Sequence, residues 1–204
     1  MLFSNVYYTV DVVKQITRER LLRLSRNQEY TAIHNSNEGT KNNKRLMSKV
    51  ATGAIDEICD LGSLLTGLGL KGVSVAKAYF MRSDFDCPWQ DFHVDYGQED
   101  DIWWTSTMVP VTVFLYLEES GLDTKPSKIK RYMLEEETVE KDAKVLRVDT
   151  KPGDVVVIRG DVEHRGIQNS SRGYMSRLVI LTKVDGGPAF FKPPHDTVYI
   201  RKYN

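Results

Sequence analysis

Apolar residues recur at helical spacing in two segments of the N-terminal third of the chain. In residues 9–27 they stand three and four positions apart amid Lys, Arg and Glu, which predicts an amphipathic helix. Residues 45–68 show the same spacing, and Gly69 and Gly72 mark the end of this second predicted helix. The segment between them, residues 31–44, is polar, rich in asparagine and interrupted by glycine, so we expect a loop there.

Beyond residue 72 the pattern changes to short β-rich runs bounded by Gly, Pro, Asp, Asn and Ser. The runs are VSVAKAYF (73–80), DFHVDY (91–96), TMVPVTVFLYL (107–117), KVLRVD (144–149), DVVVIRG (154–160) and RLVILTKV (177–184). Because no long helical pattern separates most of them, they argue against a parallel βαβ sheet and predict an antiparallel sandwich or jelly roll. The charged segment 119–143 is predicted to be a long excursion, in part a strand.

These patterns together predict a mainly β protein with N-terminal helices. We expect residues 1–72 to form a helical layer that packs on a β core formed by residues 73–204. A chain of 204 residues fits one compact domain of this kind.

Composition argues against several classes of function and location. Lys plus Arg and Asp plus Glu both number 28, so no overall charge attracts the chain to nucleic acid or to an anionic membrane. The two cysteines, Cys59 and Cys87, are too few for a disulfide framework or a Cys-rich zinc site. No apolar run reaches the length of a membrane span. The N-terminus lacks the basic and apolar regions of a signal peptide, so we expect a cytoplasmic protein.

The pair His93 and Asp95 in DFHVDY is the first candidate for chemistry. If this run is a strand, residues two apart project from the same face, about 7 Å apart along the strand. An imidazole and a carboxylate placed in this way can bind one metal ion. Taken alone, a His-x-Asp pair is more often two surface residues than a metal site.

His164 is the candidate for a third ligand. It follows a hydrophobic strand that begins with Pro-Gly-Asp, in the run KPGDVVVIRGDVEHRGIQN. Two imidazoles and one carboxylate on one face of an octahedron form the facial triad of non-haem iron(II) oxygenases, which leaves three positions open. A structural zinc site would instead be closed by four protein ligands.

The order of these pieces resembles the double-stranded β-helix core of Fe(II)/2-oxoglutarate-dependent dioxygenases, from Val73 to Val184. The resembling pieces are FHVDYG, TVFLYLEES, KPGDVVVIRGDVEHRGIQNSS and RLVILTKV. TVFLYL and His-x-Asp-Tyr resemble the prolyl-hydroxylase branch, and HRGIQNSSRGY resembles the phytanoyl-hydroxylase branch. The resemblance implies an enzyme that uses Fe(II), 2-oxoglutarate and O₂ to hydroxylate a C–H bond, with no catalytic residue beyond the metal ligands.

The resemblance also implies residues for the cosubstrate. In the family, a cation on the strand after the distal histidine binds the distal carboxylate of 2-oxoglutarate. Arg177 opens an apolar run and needs an anionic partner if buried, so we favour it over Arg172, which lies in a predicted turn. The family often has an arginine where this sequence has Met175, so Arg172 stays open.

A hydroxyl usually shares the distal carboxylate with the cation in this family. Tyr79 and Thr112 occupy positions that match family hydroxyls, and either is otherwise an ordinary strand residue. We include both as candidate cosubstrate-binding residues.

Two other classes remain open at this stage. A cupin-type metalloenzyme would use the same three ligands without 2-oxoglutarate, and would not need a buried Arg177. A non-catalytic β-sandwich interaction module would leave His93 and Asp95 on the surface. The substrate is not identified: the prolyl-hydroxylase likeness suggests a peptide and the phytanoyl-hydroxylase likeness a small molecule, while the neutral charge argues against nucleic acid.

Overall fold

A computed structural model of the protein describes residues 6–9, 13–34, 41–96, 110–125, 145–160, 162–171 and 173–185. Its helices are α1 (Gln15–Arg26), α2 (Thr52–Asp56) and α3 (Leu61–Gly67). Its strands are β1 (Val6–Thr9), β2 (Tyr30–His34), β3 (Lys41–Ser48), β4 (Val73–Ser83), β5 (Val111–Tyr116), β6 (Ser120–Thr124), β7 (Leu146–Thr150), β8 (Val155–Arg159), β9 (His164–Gly166) and β10 (Met175–Val184).

The strands form two antiparallel sheets. The major sheet has seven strands in the order β1-β8-β5-β10-β4-β3-β2, and the minor sheet has three in the order β7-β6-β9. Long β10 lies at the centre of the major sheet, paired with β4 on one side and β5 on the other. The predicted architecture, mainly β with N-terminal helices and no parallel βαβ unit, is therefore confirmed.

The two faces of the major sheet belong to two different hydrophobic clusters. Leu178 and its same-face neighbours pack with Leu21 of α1 and with residues of α2 and α3. Val179 points to the opposite side, where it packs with Leu122 of the minor sheet. We call this second side the inner face. Because both faces are covered, β5 is buried along its whole length and its sequence, VTVFLY, shows no alternation between apolar and polar residues.

The N-terminal segment departs from the prediction. The expected loop 31–44 is flanked by β2 and β3, which pair as a hairpin around residues 35–40, and those six lie outside the described residues. Residues 45–48, expected to begin a helix, belong to β3, where Met47 pairs with Met81 of β4. Pairing with the sheet overrides the helical spacing of the apolar residues. The described part of residues 1–72 thus adds three strands to the major sheet.

The remainder of the second predicted helix is divided in two. Helices α2 and α3 are separated by a short turn that ends at Asp60, whose side chain accepts a hydrogen bond from the Ser63 amide at 2.8 Å. An aspartate in this position is a favoured helix N-cap and starts α3 as a new helix.

The predicted strand 91–96 is also wrong as a regular strand. Only His93 pairs within it, through an isolated bridge to His164. The other predicted runs do contain strands. Residues 107–109 of the run 107–117, residues 126–143 of the charged segment and residue 144 of the run 144–149 lie outside the described residues. Within the described ranges, the helices are too short and too polar for any of them to cross a membrane.

Leu178→Ala tests the assignment of the core. Leu178 is 0% exposed at the centre of β10, so truncation should lower the free energy of unfolding by about 2–5 kcal/mol. Leu146→Ala in β7 is the matched control, because Leu146 is 54% exposed and should lose less than about 0.5 kcal/mol. Urea unfolding of both variants measures the difference, and equal losses would contradict this packing.

Candidate metal centre

The side chains of His93, Asp95 and His164 converge at one point between the two sheets. Their potential ligand atoms all lie within 4.8 Å of one another. Asp95 Oδ1 lies 3.8 Å from His93 Nε2, and Asp95 Oδ2 lies 3.4 Å from His164 Nε2. The structure thus brings together the three residues that the sequence analysis selected as metal ligands.

A backbone bridge places the two imidazoles side by side. The His93 amide donates to the His164 carbonyl at 3.0 Å, and the His164 amide donates to the His93 carbonyl at 2.9 Å. The ring centroids are 4.5 Å apart. His164 itself opens β9, which pairs with β6, so the bridge attaches the segment carrying His93 and Asp95 to the minor sheet.

Backbone carbonyls orient both rings. The carbonyl oxygens of Asp91 and Val162 lie 2.8 Å and 3.1 Å from Nδ1 of His93 and His164, respectively. A carbonyl can only accept, so each Nδ1 carries the proton and donates it. Each ring then turns Nε2 towards Asp95, which is the usual arrangement of metal-binding histidines.

Burial favours the neutral form of His93. Desolvation, followed by the nearby charge that a protonated His164 would carry, lowers the pKa of His93 to about 3. The ring is therefore uncharged at neutral pH, as a metal ligand has to be.

Thr112 and Tyr96 hold the carboxylate in place. The Thr112 hydroxyl donates to Asp95 Oδ2 at 2.7 Å. Tyr96 follows Asp95 in the chain, and its buried hydroxyl donates to the Val111 carbonyl at 2.8 Å and accepts from the Thr182 amide at 2.9 Å. Thr112, which the sequence analysis includes as a cosubstrate-binding candidate, lies against the carboxylate ligand. Tyr96 was not predicted as a site residue, although it stands beside Asp95 in HVDY.

Arg177 is buried on the inner face of β10, with 5% exposure. Its Nη2 lies 2.8 Å from Met81 Sδ, and no carboxylate of the described residues pairs with it. Its guanidinium carbon lies 5.5 Å from the centroid of the Phe114 ring, and the same centroid lies 5.5 Å from that of His164. One aromatic ring therefore separates this cation from the metal centre. The alternative, Arg172, lies outside the described residues.

Tyr79 lies on the same inner face, paired with Val179 of β10. Burial, and secondly the charge of Asp95, raise the pKa of its hydroxyl, while the charge of Arg177 acts in the opposite direction. The hydroxyl thus stays protonated and can donate a hydrogen bond to an anion.

The donor set fits a metal ion with open coordination positions. Two imidazoles and one carboxylate match the facial triad of non-haem iron(II) sites. Among the described residues, no fourth His, Cys, Asp or Glu joins the cluster, as a closed zinc site would require.

Solved structures with the same fold were found, although no family model and no curated protein matches the sequence. HygX from Streptomyces hygroscopicus, solved with nickel, 2-oxoglutarate and hygromycin B bound, is 12% identical with a TM-score of 0.64, covering 93% of this chain and 85% of its own. SnoN, a non-haem α-ketoglutarate-dependent epimerase from nogalamycin biosynthesis, is 10% identical with a TM-score of 0.66, covering 98% and 91%. SnoK, a carbocyclase of the same kind and pathway, is 15% identical with a TM-score of 0.61, covering 89% and 80%.

These similarities confirm the predicted fold, a double-stranded β-helix. The structural likeness to iron- and 2-oxoglutarate-dependent enzymes extends over most of the chain, well beyond the residues that carried the resemblance in sequence. At such low identities the likeness establishes the fold, while the site rests on the geometry of this chain.

Thr112→Val should weaken metal binding because it removes the hydrogen bond that orients Asp95. Loss of such an outer contact typically costs about 10–100-fold in metal affinity. Titration with Mn(II) measures it. Thr52→Val is the matched control, since the Thr52 hydroxyl of α2 bonds the backbone of Ala78 on the helix side of the major sheet and should affect stability rather than affinity. An equal loss of affinity in both variants would contradict the orienting role.

Proposed function

We propose that this protein is an Fe(II)- and 2-oxoglutarate-dependent dioxygenase that hydroxylates a C–H bond of a small molecule. Two features of the same interior carry the proposal. One is the open three-ligand centre. The other is the buried Arg177, which lies beyond Phe114 and has no carboxylate partner among the described residues. The first feature suits a metal that must bind further ligands, and the second suits an anionic cosubstrate.

His93, Asp95 and His164 would hold the iron, with Thr112 orienting the carboxylate. When bound, iron(II) supplies the redox chemistry that couples oxidative decarboxylation of 2-oxoglutarate by O₂ to oxidation of the substrate. One oxygen atom goes to succinate and the other to the hydroxyl group, and CO₂ is released. The chain contributes two oriented imidazoles, a fixed carboxylate and an interior from which apolar side chains exclude water.

Arg177 would bind the distal carboxylate of 2-oxoglutarate, and the Tyr79 hydroxyl would donate to a cosubstrate oxygen nearby. A guanidinium pairs with a carboxylate bidentately, which fixes orientation as well as charge. Such an anion would also compensate a buried cation that no carboxylate of the described residues neutralises.

Arg177 argues against a cupin-type enzyme without 2-oxoglutarate, because such an enzyme gives no reason to bury this charge. The burial and orientation of both histidines argue against an interaction module. Support for a small-molecule substrate comes from HygX, solved with hygromycin B, and from SnoN, solved with nogalamycin RO. A peptide is the second candidate substrate. The epimerase and carbocyclase activities of SnoN and SnoK make epimerisation and ring closure alternatives to hydroxylation on this fold.

Succinate formation from 2-oxoglutarate, Fe(II) and O₂ tests the proposal. Arg177→Met should raise the KM for 2-oxoglutarate at least about 30-fold, because removing one partner of a buried charge pair costs about 2–5 kcal/mol. His164→Ala should abolish turnover. Arg82→Met is the control: Arg82 lies on β4 with its guanidinium against Tyr30 and Tyr174, away from the metal centre.

Two results would refute this assignment. If Arg177→Met turns over 2-oxoglutarate as well as wild type does, Arg177 does not bind the cosubstrate. If metal-dependent turnover survives His164→Ala, the three residues do not form the metal site. Including aminoglycosides, polycyclic aromatic compounds and proline-containing peptides as co-substrates in the same assay separates small-molecule from peptide oxidation, since the true substrate should increase succinate formation.

A further inference from the structure

A second buried guanidinium, that of Arg45, lies beside Arg177. Arg45 belongs to β3 and is 1% exposed. Its Nη2 donates to the carbonyls of Pro88 at 3.0 Å and Ile167 at 3.1 Å. These two bonds fix the guanidinium against the segments that follow β4 and β9, inside the protein rather than at its surface.

Gly166 shows where the two guanidinium groups meet. A Cβ at this position would collide with Arg45 Nη1 and would lie only 3.0 Å from Arg177 Nη2. Both cations therefore lie against the same point of β9. Gly166 is two residues from His164 and shares its side of the strand, so this point is next to the metal centre. Glycine here leaves room for both guanidinium groups.

Tyr116 adds a hydroxyl to the same place. It is the register partner of Arg177 on the adjacent β5 and is 0% exposed. Its hydroxyl has no hydrogen-bond partner among the described residues. Burial raises the pKa of Tyr116 to about 12, while the charges of Arg177 and Arg45 both act to lower it. An unsatisfied buried hydroxyl is costly, so one beside two cations indicates an expected acceptor.

The charge of this cluster also favours an anion. Burial and then the charge of Arg177 lower the pKa of Arg45 to about 10, so both groups remain cationic at neutral pH. Two like charges at close range in a buried site repel each other strongly. A carboxylate placed between them would convert the repulsion into two favourable pairs and would accept from the Tyr116 hydroxyl as well.

We propose that Arg45 and Tyr116 complete, with Arg177, the subsite for the distal carboxylate of the 2-oxo acid cosubstrate. The inference rests on the proposed function and specifies which further residues of this chain would set its preference for a 2-oxo acid with a second carboxylate. It also gives the N-terminal hairpin a direct part in cosubstrate binding, since β3 supplies one of the two cations.

Binding of two matched ligands to the Mn(II)-loaded protein without O₂ tests this subsite. The ligands are 2-oxoglutarate and 2-oxopentanoate, which has the same chain length and chelating end but a methyl group in place of the distal carboxylate. Isothermal titration calorimetry measures both affinities in wild type, Tyr116→Phe and Arg45→Met. Tyr30→Phe and Arg82→Met are the matched controls, because Tyr30 bonds Ser25 and Arg82 stacks on Tyr30.

The subsite predicts a loss that is specific to the distal carboxylate. Tyr116→Phe should weaken 2-oxoglutarate about tenfold or more, since it removes a hydrogen bond to a charged group, and Arg45→Met should weaken it further. Affinity for 2-oxopentanoate should change less than about twofold in both variants, and the controls should bind both ligands as wild type does.

Unchanged affinity for 2-oxoglutarate, or equal weakening of both ligands, would overturn the subsite and assign Arg45 and Tyr116 a structural role. If Arg45→Met does not fold, Tyr116→Phe and Arg45→Lys decide by the same ratio of affinities. A wild-type protein that binds neither ligand would instead overturn the proposed function. If wild type binds 2-oxoglutarate more tightly than 2-oxopentanoate and the variants keep the same ratio of affinities, only this inference is overturned.

Discussion

Two backbone hydrogen bonds between His93 and His164 are the constraint on which the centre depends. They join an irregular segment after β4 to the first residue of β9, and so bring side chains from separate parts of the chain to one metal-sized space. Neither histidine needs a long strand for this. The Nδ1 bonds to local carbonyls then fix the rotation of each ring. Since Asp95 is two residues from His93, the same bridge determines the position of all three ligands.

The interior between the sheets holds opposite charges at its two ends. Asp95 lies at one end, while Arg177 and Arg45 lie at the other, with the Phe114 ring in the space between His164 and Arg177. In the proposed enzyme, a metal ion at the carboxylate and a dicarboxylate reaching the guanidinium groups would each bring a charge opposite to that of the side chains it meets. The same arrangement would then select ligands by their charge.

Much of the centre could be predicted from sequence because it rests on local patterns. His-x-Asp, the strand led by Pro-Gly-Asp and an arginine opening an apolar run are each visible in the printed chain. Arg45 was missed because β3 is polar and its few apolar residues are spaced as in a helix. The inward direction of Arg45 depends on the pairing of β3 with β4, which the sequence of β3 does not reveal. Tyr116 was missed because the family likeness pointed to Thr112 in the same strand. Its role follows from register with Arg177, which sequence alone does not supply.

The two faces of strand β9 make different kinds of contact. His164 and Gly166 point inward, to the metal ligands and the guanidinium groups, whereas Arg165 between them points outward and pairs with Asp123 of β6 at 3.0 Å. The Arg165 guanidinium also lies 4.5 Å from the ring centroid of Phe92, the residue before His93. These contacts of Arg165 thus hold the segment that carries His93 against β9 on the side that faces solvent. A strand of only three residues can then align the metal ligands and the guanidinium groups, because charge and aromatic contacts fix its outer face while its inner face meets both.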